Sequence, residues 1–208
     1  MSRRKKKIQI LDATATLISR DGLQSFSFEN IAKESGLSRQ LIRYYYTDQD
    51  ALILDLCDHL GGSYQSVLVT GVVEVGQVER LGFFLDFFFG LAEKYPMPQH
   101  LEAYDSLLAF AVGSPNLRAR LCDQYKMLGQ VIVHELAIAH PKLSDHACAE
   151  LSYLFVSMMH AHWSFVASLK HTPDHGRVMR KAIDRLIVSY AQESTSDPQV
   201  KRPWARET

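Results

Sequence analysis

Cysteine is scarce: Cys57, Cys122 and Cys148 are an odd number without paired spacing. That excludes a disulfide framework and reads as reduced thiols in a reducing cytoplasm. Long apolar runs are also missing. The densest segment, Phe83 to Phe89, is interrupted by Asp86, so no membrane span is expected. Arg3 to Lys7 followed by Ile8 imitates the charged head of a signal peptide, but Gln9 and Asp12 break the apolar stretch that should follow. A soluble, cytoplasmic protein is the expectation. Strand patterns and internal repeats are absent. So are the Gly-x-Ser-x-Gly elbow, the Walker loop and the dinucleotide glycine fingerprint, and nothing favours an enzyme. Nine histidines invite a metal. However, His160 and His162 are two apart, His171 and His175 flank Pro173, and no Cys/His cluster has ligand spacing. No metal and no cofactor are expected.

Net charge is missing too, since 23 basic and 23 acidic side chains cancel. The distribution is uneven. Residues 1–50 hold nine basic against six acidic side chains, and residues 51–192 hold eleven against fourteen. A basic end on a mildly acidic body suits contact with a polyanion, though a solvated surface with a random skew would look the same.

What is present is helical periodicity throughout. Ile8, Leu11, Ala15 and Ile18 mark a first amphipathic helix that stops at Asp21-Gly22. Ser27 is placed to cap a short second helix with Phe28, Ile31 and Ala32 inward, ending near Ser35-Gly36. Ser38 opens a third, anchored by Leu41 and Ile42. Asp48 caps a fourth running toward Val67, with Gly61-Gly62 as a place to bend. Further helices are expected at 77–94, 99–112, 115–140, 144–170 and 175–192, giving an all-α chain of about nine helices. The polar tail from Glu193, with Pro198 and Pro203, reads as disordered.

Residues 27–46 place two short helices around a tight turn at Gly36, with a helix on either side. This is the arrangement of a helix-turn-helix, in which the second short helix enters the major groove. Gly36 suits the turn because it accepts the left-handed conformation without strain. The exposed side chains of the second helix would be Arg39, Gln40, Arg43, Tyr44 and Tyr45, types that reach base edges and phosphates. Tyr46, at a packed helix junction, is expected to be core.

With Gly22, Ser27, Ile31-Ala32, Gly36-Leu37-Ser38, Ile42, Tyr45-Tyr46 and Leu52 in place, the chain resembles the tetracycline-repressor (TetR) family over about residues 6–56. Beyond that the likeness is one of length and helical character. The resemblance implies a helix-turn-helix DNA-binding domain over 1–54 and a larger helical effector-binding and dimerisation domain over 55–192, leaving 193–208 as the tail. It implies a regulator that binds a palindromic operator in double-stranded DNA as a homodimer. Repression relieved by a small apolar or aromatic effector is the family's usual mode, and activators exist. A DNA-binding scaffold without an effector, or a helical enzyme, are the alternatives.

Carried over residue by residue, Ser27 and Tyr45 hold phosphates, while Arg39, Gln40, Arg43 and Tyr44 face the bases. Lys5, Lys6 and Lys7 supply nonspecific attraction, with an arm into a minor groove as one form of it. Ser38, as cap of the reading helix, belongs to the same surface. Three positions depart from the family: Arg43 stands for its tyrosine, Tyr46 for its phenylalanine, and Gln49 for its lysine. Gln49 still donates a hydrogen bond but releases no counterion. Arg43 either restores that contact or reads a base.

In the larger domain, Leu151, Leu154, Met158 and Phe165 form one stripe, and Met179, Ile183, Leu186 and Tyr190 another. The family pairs such helices across a twofold axis as a four-helix bundle, whereas a monomer would bury the stripes internally. The family's effector pocket points to Phe84, Phe87, Phe88, Tyr104 and Phe110, and to Met127, His134, Met159, His162 and Trp163. Plain core packing is the competing account of each.

Overall fold

The computed structural model describes residues 3–76, 79–192 and 202–205. Among these residues there are nine α-helices and no strand. They are α1 (Arg3–Asp21), α2 (Phe28–Ser35), α3 (Arg39–Tyr45), α4 (Gln49–Glu74), α5 (Arg80–Phe88), α6 (Leu101–Ala111), α7 (Pro115–Ala139), α8 (Asp145–Ala167) and α9 (Gly176–Gln192). The chain forms two compact units. One comprises Met1–Gln65 with Pro98–Cys122, the other Ser66–Met97 with Asp123–Thr208. The long helices α4 and α7 supply residues to both.

Three helices differ from their expected spans. The first starts by Arg3, so the basic segment is helical and not a loose arm. The fourth runs unbroken through Gly61-Gly62 to Glu74. The fifth stops at Phe88, where Gly90 at φ 72° turns the chain and the Leu91 amide bonds back to the Asp86 carbonyl. Residues 193–201 and 206–208, most of the expected disordered tail, lie outside the described residues. Arg202–Ala205 are described and rest on their own unit.

In the first unit, α1 presents Ile10, Leu11, Ala15 and Ile18 to Ile31 of α2, Ile42 of α3 and Leu52, Ile53 and Leu56 of α4, all buried. Ile8, expected on this face, is 39% exposed. An ion pair between Lys7 and Asp55 (2.5 Å) and a hydrogen bond between His59 and Asp12 (2.7 Å) tie α1 to α4. Ser19 meets His100, just before α6, at 3.2 Å. This frame holds α2 and α3.

The second unit is built on aromatics. Phe87, Phe88 and Phe89 are wholly buried, each contributing about 2–3 kcal/mol of apolar burial. Phe88 packs at 5.9 Å on Phe155 and 5.7 Å on Trp163 of α8. The Trp163 indole donates to the Phe88 carbonyl at 2.8 Å, satisfying an acceptor at the end of α5. Asp86 accepts from Arg180 of α9 at 2.8 Å. Gly176 opens α9 so close to the Phe89 carbonyl that a Cβ there would stand 2.2 Å from the oxygen.

Candidate nucleic-acid interface

The helix-turn-helix is fixed by its caps. Ser27 Oγ accepts from the Asn30 amide at 3.1 Å and starts α2. Gly36 ends α2 in the left-handed conformation at φ 66°, ψ 19°, its amide bonding back to Ala32. Two residues later Ser38 Oγ accepts from the Leu41 amide at 3.1 Å and starts α3. The turn is therefore short and held at both ends.

On α3, Ile42 is buried and Leu41 and Tyr45 are half-buried, while Arg39, Gln40, Arg43 and Tyr44 are exposed. At 100° per residue these four cover an arc of about 140° on the side away from Ile42. Four long polar or aromatic side chains thus share one outward face of a helix narrow enough for a major groove. Tyr44 is 68% exposed. Tyr45 is tucked partly beneath it, ring to ring at 5.4 Å and nearly perpendicular. Tyr46 is core, as expected. Burial and then the negative charge of Asp55 push its phenol well above the usual range.

Beside this face lies an open concavity of about 390 Å3 lined by Ser27, Phe28, Glu29, Arg39, Arg43, Asp48 and Gln49. It brings α3 together with the N-terminal ends of α2 and α4, where backbone amides carry partial positive charge. Asp48 accepts from the Ala51 amide at 2.8 Å and from Thr47 at 3.1 Å, which holds its carboxyl below the usual range. Glu29 is likewise lowered, first by its hydrogen bond from Lys33 and more weakly by Arg39. Two guanidiniums therefore face two ionised carboxylates. Any excess positive potential in the concavity comes from the helix ends.

The remaining expected contacts divide. Gln49 reaches back to the Phe26 carbonyl at 3.4 Å, so its donor points into the chain. Lys5 and Lys7 are exposed and Lys6 half-exposed, but Lys7 is paired with Asp55 and sits over the Tyr46 ring at 5.7 Å. Its charge braces α1 against α4. Phe28 and Glu29, absent from the expected set, line the concavity. The signal for them was Ser27 itself, since the residues after a cap flank the same helix end.

The expected effector residues belong to both units. Tyr104 and Phe110 belong to the first unit. Tyr104 is buried against Tyr64 at 6.3 Å, and burial pushes the Tyr64 phenol up to about 12. Phe84, Phe87, Phe88, Met159, His162 and Trp163 are buried in the second. Met127 and His134 lie on the exposed arc of α7, because Leu128, Ile132 and Leu136 take its inner one. His162 is 1% exposed, packs on Phe89 at 5.9 Å, and finds no hydrogen-bond partner for Nε2 among the described residues. Burial and then the charge of His175 lower its pKa.

Of the expected pairing stripes, Leu151 and Ile183 are buried within the chain. Leu154, Met158, Met179, Leu186 and Tyr190 are half-exposed, and Phe165 is 51% exposed. The outermost positions of α8 are Tyr153, Ser157, Ala161 and Phe165, four apart, and on α9 Val178 and Val188 are exposed. The outward stripe of α8 is thus offset from the one read in the sequence.

Residues 10–56 match the sequence model of the TetR N-terminal domain, described as bacterial regulatory proteins, tetR family. Over 49 residues the chain is 43% identical to the HTH-type transcriptional regulator PksA of Bacillus subtilis (strain 168), a match spanning 24% of each protein. The fold extends the likeness over nearly the whole chain. A transcriptional regulator from Saccharomonospora viridis, solved in complex with choline, superposes with a TM-score of 0.73 at 18% identity, covering 89% of this chain and 97% of that one. A TetR transcription regulator from Haloarcula marismortui ATCC 43049 does so with a TM-score of 0.76 at 15% identity, covering 90% and 98%. Residues 10–56 thus carry the N-terminal domain of the tetR family of bacterial regulatory proteins, and the whole chain shares the fold of these solved regulators.

Proposed function

We propose that the chain is a ligand-responsive repressor that binds a palindromic operator as a homodimer in the cytoplasm. The observation that carries this reading is the outward arc of α3, where Arg39, Gln40, Arg43 and Tyr44 stand together on a doubly capped helix. Gln40 and Tyr44 lie outside the concavity and are assigned to base edges. Arg39 and Arg43 line it and are assigned to the flanking phosphate, with the amides after Ser27 and Asp48. Arg43 then supplies the ionic contact that Gln49 does not.

DNA binding is assigned to residues 1–54, effector binding and pairing to 55–192. Pairing through the exposed faces of α8 and α9 doubles the bases read and sets the two reading helices about one turn of DNA apart. The aromatic interior of the second unit supports an apolar or aromatic effector. A quaternary ammonium effector is a second reading, favoured by the same ring faces and by the choline held by the Saccharomonospora relative. An effector that prefers one separation of the reading helices weakens operator binding by its differential affinity, about 1–3 kcal/mol.

Selection from a random duplex library, followed by sedimentation of the selected complex, tests this. An inverted repeat bound by two chains is expected. A selected site without dyad symmetry, or one chain per duplex, contradicts it. Thermal shifts with choline and with apolar aromatics separate the two effector classes.

A further inference from the structure

The last described residues, Arg202–Ala205, form a seat on the α7–α8 pair of the second unit. Trp204 lies on Gly129 of α7 so closely that a Cβ at that glycine would stand 2.3 Å from indole Cε2. Its Nε1 donates to Ser152 Oγ on α8 at 3.2 Å. Ser152 is wholly buried and its hydroxyl donates a hydrogen bond to the Gly129 carbonyl at 2.7 Å. The Tyr153 ring stands beside the indole at 5.6 Å, and Arg202 donates to the Asp145 carbonyl at 3.2 Å. Trp204 holds φ 62°, a left-handed conformation that bulky residues seldom adopt.

These features form one recognition site. A glycine in mid-helix costs helical stability, and here it opens room for a flat ring. A buried hydroxyl, oriented by donating to that glycine's carbonyl, presents a lone pair to the ring's only polar hydrogen. A tyrosine closes one side. Phenylalanine would fill the notch but leave the hydroxyl lone pair unused, so the geometry selects an N–H-bearing planar aromatic.

We propose that the Gly129–Ser152 notch is an indole-recognition site closed by the chain's own Trp204. Residues 202–205 are then a strap that a planar N–H aromatic can displace. The tether keeps the indole at high local concentration, so a free competitor binds best once Trp204 is removed. This reading is independent of DNA binding and shares only Tyr153 with the outward face of α8.

The test uses the full chain. Trp163 is the other tryptophan, so the emission of Trp204 is the difference between the natural protein and Trp204→Phe. That difference spectrum is expected to be blue-shifted and shielded from acrylamide. Gly129→Ala, which favours helix and so keeps the fold, is expected to move it to a solvated, quenchable emission with far-ultraviolet circular dichroism unchanged. In Trp204→Gly, calorimetric titration with free indole is expected to give one site with a dissociation constant of about 1 mM or tighter. The double variant Gly129→Ala, Trp204→Gly is expected to have none. A shielded Trp204 in folded Gly129→Ala, or a folded Trp204→Gly that binds no indole, overturns the proposal.

Discussion

Replacing Gly36 by alanine isolates what the helix-turn-helix turn demands of the backbone. A Cβ at Gly36 would meet nothing within 4 Å, so no steric cost arises from neighbours. The conformation remains, at φ 66°. Left-handed backbone costs an L-residue about 1–2 kcal/mol. Alanine also has fewer unfolded states to lose, which returns about 0.4–1 kcal/mol. The net expectation for Gly36→Ala is a loss of about 0.5–1.5 kcal/mol. Asparagine tolerates this region through its own side-chain hydrogen bonding, so Gly36→Asn should recover most of that loss. Gly176 provides the contrast: its φ of −52° is ordinary helix, but its Cβ would stand 2.2 Å from the Phe89 carbonyl. Gly176→Ala should cost about 1–3 kcal/mol by overpacking, and asparagine should make it worse. Urea unfolding of the four variants, compared at matched slopes, measures all of this. A neutral Gly36→Ala, or a Gly36→Asn as costly as the alanine variant, would refute the backbone argument.

Arg43→Ala is expected to weaken selected and scrambled duplexes alike and to reduce the salt slope by about 0.9 per chain. Gln40→Ala should leave the slope and remove about 1–3 kcal/mol of discrimination at one base pair; anisotropy titrations at several salt concentrations separate them. His162 links stability to pH. Its folded-state pKa is lowered, so the unfolded chain takes up the proton first. Its stabilising contribution is full above about pH 6.5 and falls on acidification toward the folded-state pKa, by up to about 1.4 kcal/mol per unit. Urea unfolding at several pH values should show this dependence, and His162→Leu should flatten it; an unchanged profile rejects the assignment. Trp163→Phe removes the hydrogen bond to the Phe88 carbonyl and part of a packed ring, and should cost about 2–3 kcal/mol in the same assay.

The exposed face of α3 was legible in the sequence because local rules determine it. Serines at 27 and 38, glycine at 36 and an apolar anchor at Ile42 specify caps, turn and inward face from neighbours a few residues apart. The larger unit was less legible. Its helices are apolar on most sides, so periodicity marks them as buried without saying which face meets which. Leu151 and Ile183 belong to the stripes read from the sequence but are buried within the chain, while Tyr153 and Val188, outside those stripes, are exposed. Met127 and His134 matched the residue types of a pocket but lie on the outer arc of α7. Lys7 shows the same limit for charge: its partner Asp55 is remote in sequence, so the pair is not legible from neighbouring residues. Trp204 was hidden by its setting, a lone aromatic in a polar, proline-bearing tail whose seat is made by Gly129 and Ser152.

The most direct test of the account is a fluorescence-anisotropy titration of the natural protein at physiological salt. The probes are the duplex upstream of its own gene and a scrambled duplex of equal length. The account predicts a preference for the upstream duplex by a factor of about 10³ or more. Absence of binding to either duplex, even at low salt, would contradict it.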